Sequence, residues 1–488
     1  MSPIPSDVAH GTGSSAHAEP AAVTDPSART VASIWHWIAT HFVVAVLCLT
    51  VLAAILRFHD YSVAPPPAED GDEMAWTWAG QSLIEHGRPT SWTSLPGYSN
   101  VTYEKTQIGT VAIVTPWLDE PPVFALLEGG TVLLAGETTP QQASDSAARI
   151  PVIALSLLSL VLTALLLMRL FGPGIALLGA ALLAVSPAIT EASRTVESEA
   201  LLTPLLLGTL IICHTMARGQ YRRPTVATLL TICFIAPLVK PPGLVCALIA
   251  AGLLWTSGRN RIALASVGAG VLGIAVFALY GAILDWHQFV TIVAANGRRV
   301  DGFLNAYSFI TSAIPAIAGP NPLNDVIWLI GWIGIGFVVL GRRGEAERYL
   351  AWPCLAYVIV MVAAASPSLA GAAAWYRIPL MPLIYGAAAV VIWESIARYN
   401  AVAFGLILAI MATAAFRGLG TGANPAAPQG ALVALLIIAV IALIVRGSGS
   451  SGTNAMLRKW RVSLPVGLMA LILLANAVQS WSLAGIRL

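Results

Sequence analysis

The side chains best suited to chemistry gather in a polar insert between membrane-length apolar runs, from His59 to Arg149. Twelve of the chain's 24 acidic residues fall inside it. They are densest at Glu69-Asp70-Gly71-Asp72-Glu73, just after Pro65-Pro66-Pro67. An ionised carboxylate is costly in hydrocarbon, so such a cluster must sit in water or line a polar cavity. A carboxylate placed there can take a proton from a hydroxyl nucleophile, which makes the insert the expected source of a catalytic base.

Further charged residues interrupt later apolar runs. In Ala192-Ser193-Arg194-Thr195-Val196-Glu197-Ser198-Glu199, Arg194 and Glu197 are three apart and can pair at a helix start. The stretch reads either as an interfacial salt bridge or as a carboxylate and a guanidinium facing a polar cavity. Lys240-Pro241-Pro242-Gly243 breaks the chain between two spans, and its prolines leave backbone groups for cavity water or a ligand to satisfy. A lysine there can equally snorkel to the membrane boundary. Trp375-Tyr376-Arg377, with Pro379 and Pro382, sets a cation beside aromatics. That suits a phosphate head group with its lipid tail alongside, or an aromatic-belt anchor. Asp285-Trp286-His287-Gln288 and Asn296 to Asp301 are expected in a loop of about 40 residues, with no ligand role for His287.

The elements holding these groups follow from composition. The chain has 488 residues, 57% of them hydrophobic and 10% charged, far from the roughly one quarter charged of a soluble enzyme. A crossing helix needs about 20 apolar residues, and about 13 such runs are expected. The formal net charge of +2 and the lack of a dense Lys/Arg cluster argue against nucleic acid. The five cysteines lie in apolar runs without metal-ligand spacing and read as buried small hydrophobes. Residues 1–30 read as a disordered tail. Trp35 to Phe58 is the first, retained span, and Asp72 to His86 and Val123 to Leu134 are expected as interfacial helices. Arg169, Arg218, Arg222, Arg223, Arg259, Arg261, Arg342, Arg343, Arg348 and Arg398 fall in loops of one parity. The positive-inside rule then puts the N-terminus in the cytoplasm and the insert on the opposite side. Arg194, Lys240, Arg298, Arg299 and Arg377 stand against that bias, so each needs a structural partner or a ligand.

Taken in order, these stretches resemble the GT-C glycosyltransferase superfamily. Within it they are similar to a bacterial branch related to protein O-mannosyltransferases and lipid A aminoarabinose transferases. The match runs through Gly71-Asp72-Glu73 and the following Ala79-Gly80-Gln81-Ser82. It continues through Asp119-Glu120-Pro121-Pro122, Ala148-Arg149-Ile150-Pro151, Arg194 with Glu199, Lys240 to Gly243, and Tyr376-Arg377. The family often has His where this chain has Glu120, Asp where it has Glu199, and Tyr near Trp76.

The resemblance implies an all-α polytopic membrane protein with a GT-C-like bundle. Residues 31–395 would form the catalytic core, 59–149 its first extracytoplasmic loop, and 396–488 additional C-terminal helices. It implies transfer of a sugar from a polyprenyl-phosphate donor to a lipid, glycan or protein acceptor, with inversion. Asp72 is then the base, Glu73 an orienting group and Asp70 the fallback. Arg377, Lys240 and Tyr376 would bind the lipid phosphate, and Arg194, Glu199, Asp119 and Glu120 would shape the cavity. No cofactor or metal is expected, and the location implied is a bacterial plasma membrane. The alternative is a transporter or flippase of lipid-linked sugars, but the internal repeats common in transporters are not evident.

Overall fold

A computed structural model describes residues 40–65, 71–106, 109–138, 144–220, 222–297, 322–341, 344–364 and 372–397, with parts of 403–407 and 466–481. The expected tail at 1–30, Asp70, Arg298, Arg299 and nearly all of the C-terminal helices expected after 396 lie outside the described residues. Everything below concerns one compact unit, Phe42–Leu488.

Helix α1, Phe42–Phe58, is followed by the insert, which holds α2 (Gly71–His86), three short strands and α3 (Pro122–Leu134). Then come α4 (Asp145–Phe171), α5 (Pro173–Val185), α6 (Pro187–Ala192), α7 (Glu199–Ala217), α8 (Arg223–Val239), α9 (Leu244–Trp255) and α10 (Asn260–Gly297). Last are α11 (Pro322–Leu340), α12 (Trp352–Ala364) and α13 (Met381–Ala397). Among the described residues, four helical segments are long and apolar enough to cross a membrane: 145–171, 199–217, 260–296 and 375–395. Val43, Leu47, Val51 and Ile55 on α1, and Leu264, Val271, Leu279 and Ile283 on α10, are exposed. Apolar faces of that extent need hydrocarbon around them, and the chain is a multi-pass membrane protein.

Inside the insert the structure departs from an all-helical reading. Strands β1 (Ser91–Trp92), β2 (Val101–Thr106) and β3 (Gly109–Val114) form an antiparallel sheet in the order β1-β3-β2, with Ser91 and Val101 both opposite Val114. Its buried Val111 and Ile113 cover Trp78 of α2. Helix α2 is therefore covered on both faces. Residues 75–82 are all buried, between the sheet on one side and α3 on the other. Gly87, at φ +69°, ends the helix with its N–H on the Leu83 carbonyl at 3.0 Å, the left-handed stop open to glycine.

Two glycines set the approach of α2 to α3. A Cβ on Gly80 would lie 1.7 Å from the Ala125 carbonyl oxygen, and one on Gly129 would lie 2.2 Å from the Gln81 nitrogen. Both obstacles are backbone, so the helices would have to separate. We expect Gly80→Ala or Gly129→Ala to cost at least about 1–3 kcal/mol, read as a lower midpoint in thermal unfolding of the purified protein. Gly130→Ala is the control, because its Cβ would meet only the Ile84 Cδ1 at 3.9 Å.

Two further differences concern the spans. Helix α10 breaks at Asp285, whose φ −172° and ψ 98° are extended, and the Asp285 Oδ1 accepts the Gln288 N–H at 2.9 Å. Asp285 therefore caps a new helix through Gly297 where a loop was expected. Four of the five cysteines are buried, but Cys48 is exposed.

Candidate active site

The insert is fastened to the bundle by a buried ion pair. Glu73, in the first turn of α2, is clamped by Arg149 in the first turns of α4. The Arg149 Nε donates to one carboxylate oxygen at 2.9 Å and Nη2 to the other at 2.8 Å, while Nη1 reaches the Tyr61 carbonyl at 2.7 Å. Both side chains are buried, at 0% and 2% exposure. One guanidinium thus ties the turn after α1, the start of α2 and the start of α4. Both Glu73 oxygens are thereby occupied by Arg149. The adjacent Asp72 is exposed at the positive end of α2.

Asp119 is held as firmly. The Thr93 hydroxyl donates to Oδ2 at 2.5 Å and the Tyr98 hydroxyl to Oδ1 at 2.6 Å. Tyr98 in turn accepts the Leu118 N–H at 2.8 Å. Burial, then the Asp119 charge, pushes the Tyr98 phenol up, which keeps it a donor. The Asn296 side chain reaches the Asp119 carbonyl at 3.1 Å, and Gln288 bonds the Ser99 N–H and the Gly97 carbonyl. The helix beyond the Asp285 break thereby braces the loop that orients Asp119.

Lys240 enters from the break after α8. A Cβ on Gly243 would lie 2.1 Å from the Ala236 carbonyl oxygen, so glycine permits the sharp hairpin into α9. The Gly243 N–H bonds the Lys240 carbonyl at 2.7 Å, a backbone group the sequence reading left for water or ligand. The Lys240 Nζ donates to the Glu199 Oε1 at 2.6 Å and lies 4.6 Å from the centroid of the Tyr376 ring. Glu199 heads α7, and its other oxygen accepts from the Ser198 hydroxyl at 3.2 Å.

Arg194 has a different task. Its guanidinium donates to the carbonyls of Arg57, Leu56 and His59 at 3.2, 2.7 and 2.6 Å. A cation there meets the negative end of α1 and satisfies carbonyls that the helix terminus leaves open. Arg194 is thus a helix cap rather than the Glu197-paired or cavity-facing group its spacing suggested. Arg377 is fully buried on the 3₁₀ segment Ala372–Leu380, which packs against α7. The Tyr357 hydroxyl bonds the neighbouring Tyr376 carbonyl at 2.9 Å.

Glu120 joins the two halves. It is half-buried between Asp119 and the Pro121-Pro122 start of α3. Lys240, Glu199, Asp119 and Asp72 all lie within its electrostatic reach. Carboxylates of the insert, the lysine of the α8–α9 break, Glu199 and Tyr376 therefore form one charged cluster. Among the described residues no three His, Cys, Asp or Glu side chains are arranged as a metal site.

Several participants escaped the sequence reading. Arg149 was seen only as part of a motif, Thr93 and Tyr98 carried no signal of their own, and Gln288 and Asn296 were read as parts of a solvated or lid-like loop. Glu128 on α3 is fully buried, and among the described residues neither carboxylate oxygen is hydrogen-bonded. Burial, then the charge of Glu73, pushes it well above the usual carboxylate range.

Residues 119–286 match the family model described as dolichyl-phosphate-mannose-protein mannosyltransferase. That stretch contains Asp119, Glu120, Arg149, Arg194, Glu199 and Lys240 but not Asp72 or Arg377. No curated protein sequence matches the chain. ArnT from Cupriavidus metallidurans bound to undecaprenyl phosphate superposes with a TM-score of 0.53, at 15% identity, over 92% of this chain and 78% of that one. Its apo form gives 0.54 at 16% identity. Arabinosyltransferase EmbB from Mycobacterium smegmatis gives 0.57 at 12% identity, over 90% of this chain and 41% of that one. The chain shares the fold of ArnT and EmbB, and its segment 119–286 is similar to the dolichyl-phosphate-mannose-protein mannosyltransferases.

Proposed function

We propose that the chain is a membrane glycosyltransferase that moves a sugar from a polyprenyl-phosphate donor to a hydroxyl acceptor, with inversion at the anomeric carbon. The observation that carries this reading is the cluster in which exposed Asp72 shares Glu120 with Lys240 and Tyr376, the residue that precedes buried Arg377. Asp72 takes the acceptor's proton as its oxygen bonds the anomeric carbon. The bond from that carbon to the phosphate oxygen breaks, and the phosphate departs on its lipid as an anion. Fixed cations favour that charge, a task given to Arg377 and to Lys240, with Tyr376 and Glu199 orienting the lysine.

The cluster works on the non-cytoplasmic side of a bacterial plasma membrane, with the N-terminus in the cytoplasm. At the opposite end, Arg169 bonds the Thr215 hydroxyl and Arg218 pairs with Glu345 at 2.7 Å. These two arginines belong to the loop set that the positive-inside rule assigns to the cytoplasm. The acceptor is a lipid, glycan or protein of the cell envelope. No cofactor and no metal is assigned a step.

Incubation of the purified chain with radiolabelled polyprenyl-phosphate sugars and a membrane extract tests the reading. Label moving to an acceptor supports it, whereas lipid-linked sugar crossing a sealed vesicle unchanged would replace it with transport. Replacing Arg377 by Lys keeps the charge and removes the planar fork that grips phosphate. Charge-assisted hydrogen bonds are worth about 1.5–3 kcal/mol. The donor KM should therefore rise about 10- to 100-fold with a smaller change in kcat, and an unchanged KM would remove Arg377 from the phosphate site.

A further inference from the structure

A groove lies at the far end of α9 from Lys240. The helix has 12 residues, which carries the chain about 18 Å away from the charged cluster. The groove runs between α9 and the start of α12 with a volume of about 510 Å³, within the size range of small-molecule sites. Its deeper part is apolar, with Leu248, Leu253 and Ala356. Gly252 keeps it open, because a Cβ there would meet nothing within 4 Å. Leu248 and Trp352 on its lips are 44% and 55% exposed, a face that in a multi-pass protein meets hydrocarbon. The charged lining is confined to one end, where Thr256 closes α9 and Glu347 and Arg348 precede α12.

The local sequence shapes that end. Pro353 has no N–H for the carbonyl four residues back, and Glu347–Ala351 forms a π-helical turn in which the Trp352 N–H takes the Glu347 carbonyl. Turns of this kind are frequent at functional sites. Glu347 is half-buried and Arg348 exposed, and among the described residues neither side chain has a hydrogen bond or an ion pair. The neighbouring carboxylate, Glu345, is already held by Arg218 at 2.7 Å. A carboxylate and a guanidinium thus stand side by side at the mouth of an apolar groove, each without a partner among the described residues.

We propose that this groove binds a glycerophospholipid whose head group carries a primary ammonium, with its phosphate on Arg348, its ammonium on Glu347 and an acyl chain along Leu248 and Leu253. The two opposite charges match the two ends of such a head group. An anionic head would meet Arg348 but set its charge beside Glu347, and a quaternary ammonium has no N–H to donate. Trp352 stands where head group gives way to chain, the level that indole prefers at a membrane boundary. The Thr256 hydroxyl donates to the Gly252 carbonyl at 3.1 Å and keeps a lone pair to accept from the ammonium.

The test is native mass spectrometry of the detergent-solubilised full chain, titrated with dioleoyl phosphatidylethanolamine, phosphatidylglycerol or phosphatidylcholine to give the Kd of the first lipid bound. Phosphatidylethanolamine should bind about fivefold tighter than either of the others, the effect of one charged contact near a lipid surface. Arg348→Gln should weaken phosphatidylethanolamine and phosphatidylglycerol alike, again by about fivefold, and Glu347→Gln should erase the preference for phosphatidylethanolamine. Gly252→Leu fills the groove and should weaken all three lipids by about tenfold or more, since even two methylenes left unburied are worth that much. Equal binding of the three lipids by the wild type, or an unchanged Kd in Gly252→Leu, would overturn the inference. A wild type that binds none of them would overturn it as well, and would give the groove to another part of the chain such as 408–465. Equal thermal midpoints in lipid-free detergent establish that the variants are folded. Either result leaves the donor assignment standing, because Lys240 lies at the other end of α9.

Discussion

Asp72→Asn is expected to lower sugar transfer by about 10²- to 10⁴-fold, the contribution of a positioned general base, with folding and donor binding intact. The reasons are local. Asp72 is exposed in the first turn of α2, beside a Glu73 whose oxygens are both occupied by Arg149. The ion pair holds the turn in place and leaves its neighbour to face the cluster. Asparagine keeps size and polarity and removes the base, so the loss should fall on kcat while the donor KM and the thermal midpoint stay near wild type. The measurement is initial rate against donor concentration for purified wild type and variant, with melting curves of both. A wild-type kcat in Asp72→Asn would remove the assignment. Paired with a loss in Asp70→Asn, it would move the base two residues upstream.

The contrast between Asp72 and Glu73 marks what was legible in the chain and what was not. Long apolar runs, one-sided arginines and a polar insert rich in carboxylates are local properties, because hydrocarbon tolerates little else. They were enough for the class of fold. What adjacent acids do was not legible, since Asp72 and Glu73 differ only in which way α2 turns them. That rotation is set by a partner 76 positions away. Arg194 was misread for a similar reason. Its spacing to Glu197 was visible, but the open carbonyls of α1 more than 130 positions earlier are the better acceptors. The small sheet was missed because its strands are two to six residues long, and β3 shows its alternation only against Trp78. The Asp285 break was hidden because an extended residue inside an apolar run needs neither proline nor glycine. Helix α2 looked amphipathic and interfacial, and only its crossing of α3 through Gly80 and Gly129 reveals that both faces are covered.

Removing one member of the Glu73–Arg149 pair should have the largest effect on stability. The two groups are almost fully withdrawn from water, and deleting one partner of such a pair typically costs about 3–5 kcal/mol, because the other charge is left buried. Arg149→Met strands the Glu73 carboxylate and leaves the Tyr61 carbonyl without its donor. Glu73→Gln leaves a guanidinium that its neighbour Glu128, hydrogen-bonded to nothing in the described residues, is not placed to satisfy. Either single variant should lower the thermal midpoint sharply and loosen the insert, seen as faster proteolysis between residues 59 and 149. The double variant Arg149→Met with Glu73→Leu removes both charges at similar volume. It should recover much of the lost stability, since buried pairs replaced by apolar groups are often neutral or better. Its transfer rate is the decisive comparison. If the pair serves only to hold the fold, the double variant is both stable and active. If it also sets where Asp72 points, the variant is stable and slow, with a normal donor KM and a reduced kcat. We expect the second result, because Asp72, the base proposed above, sits one peptide bond from the residue the arginine holds.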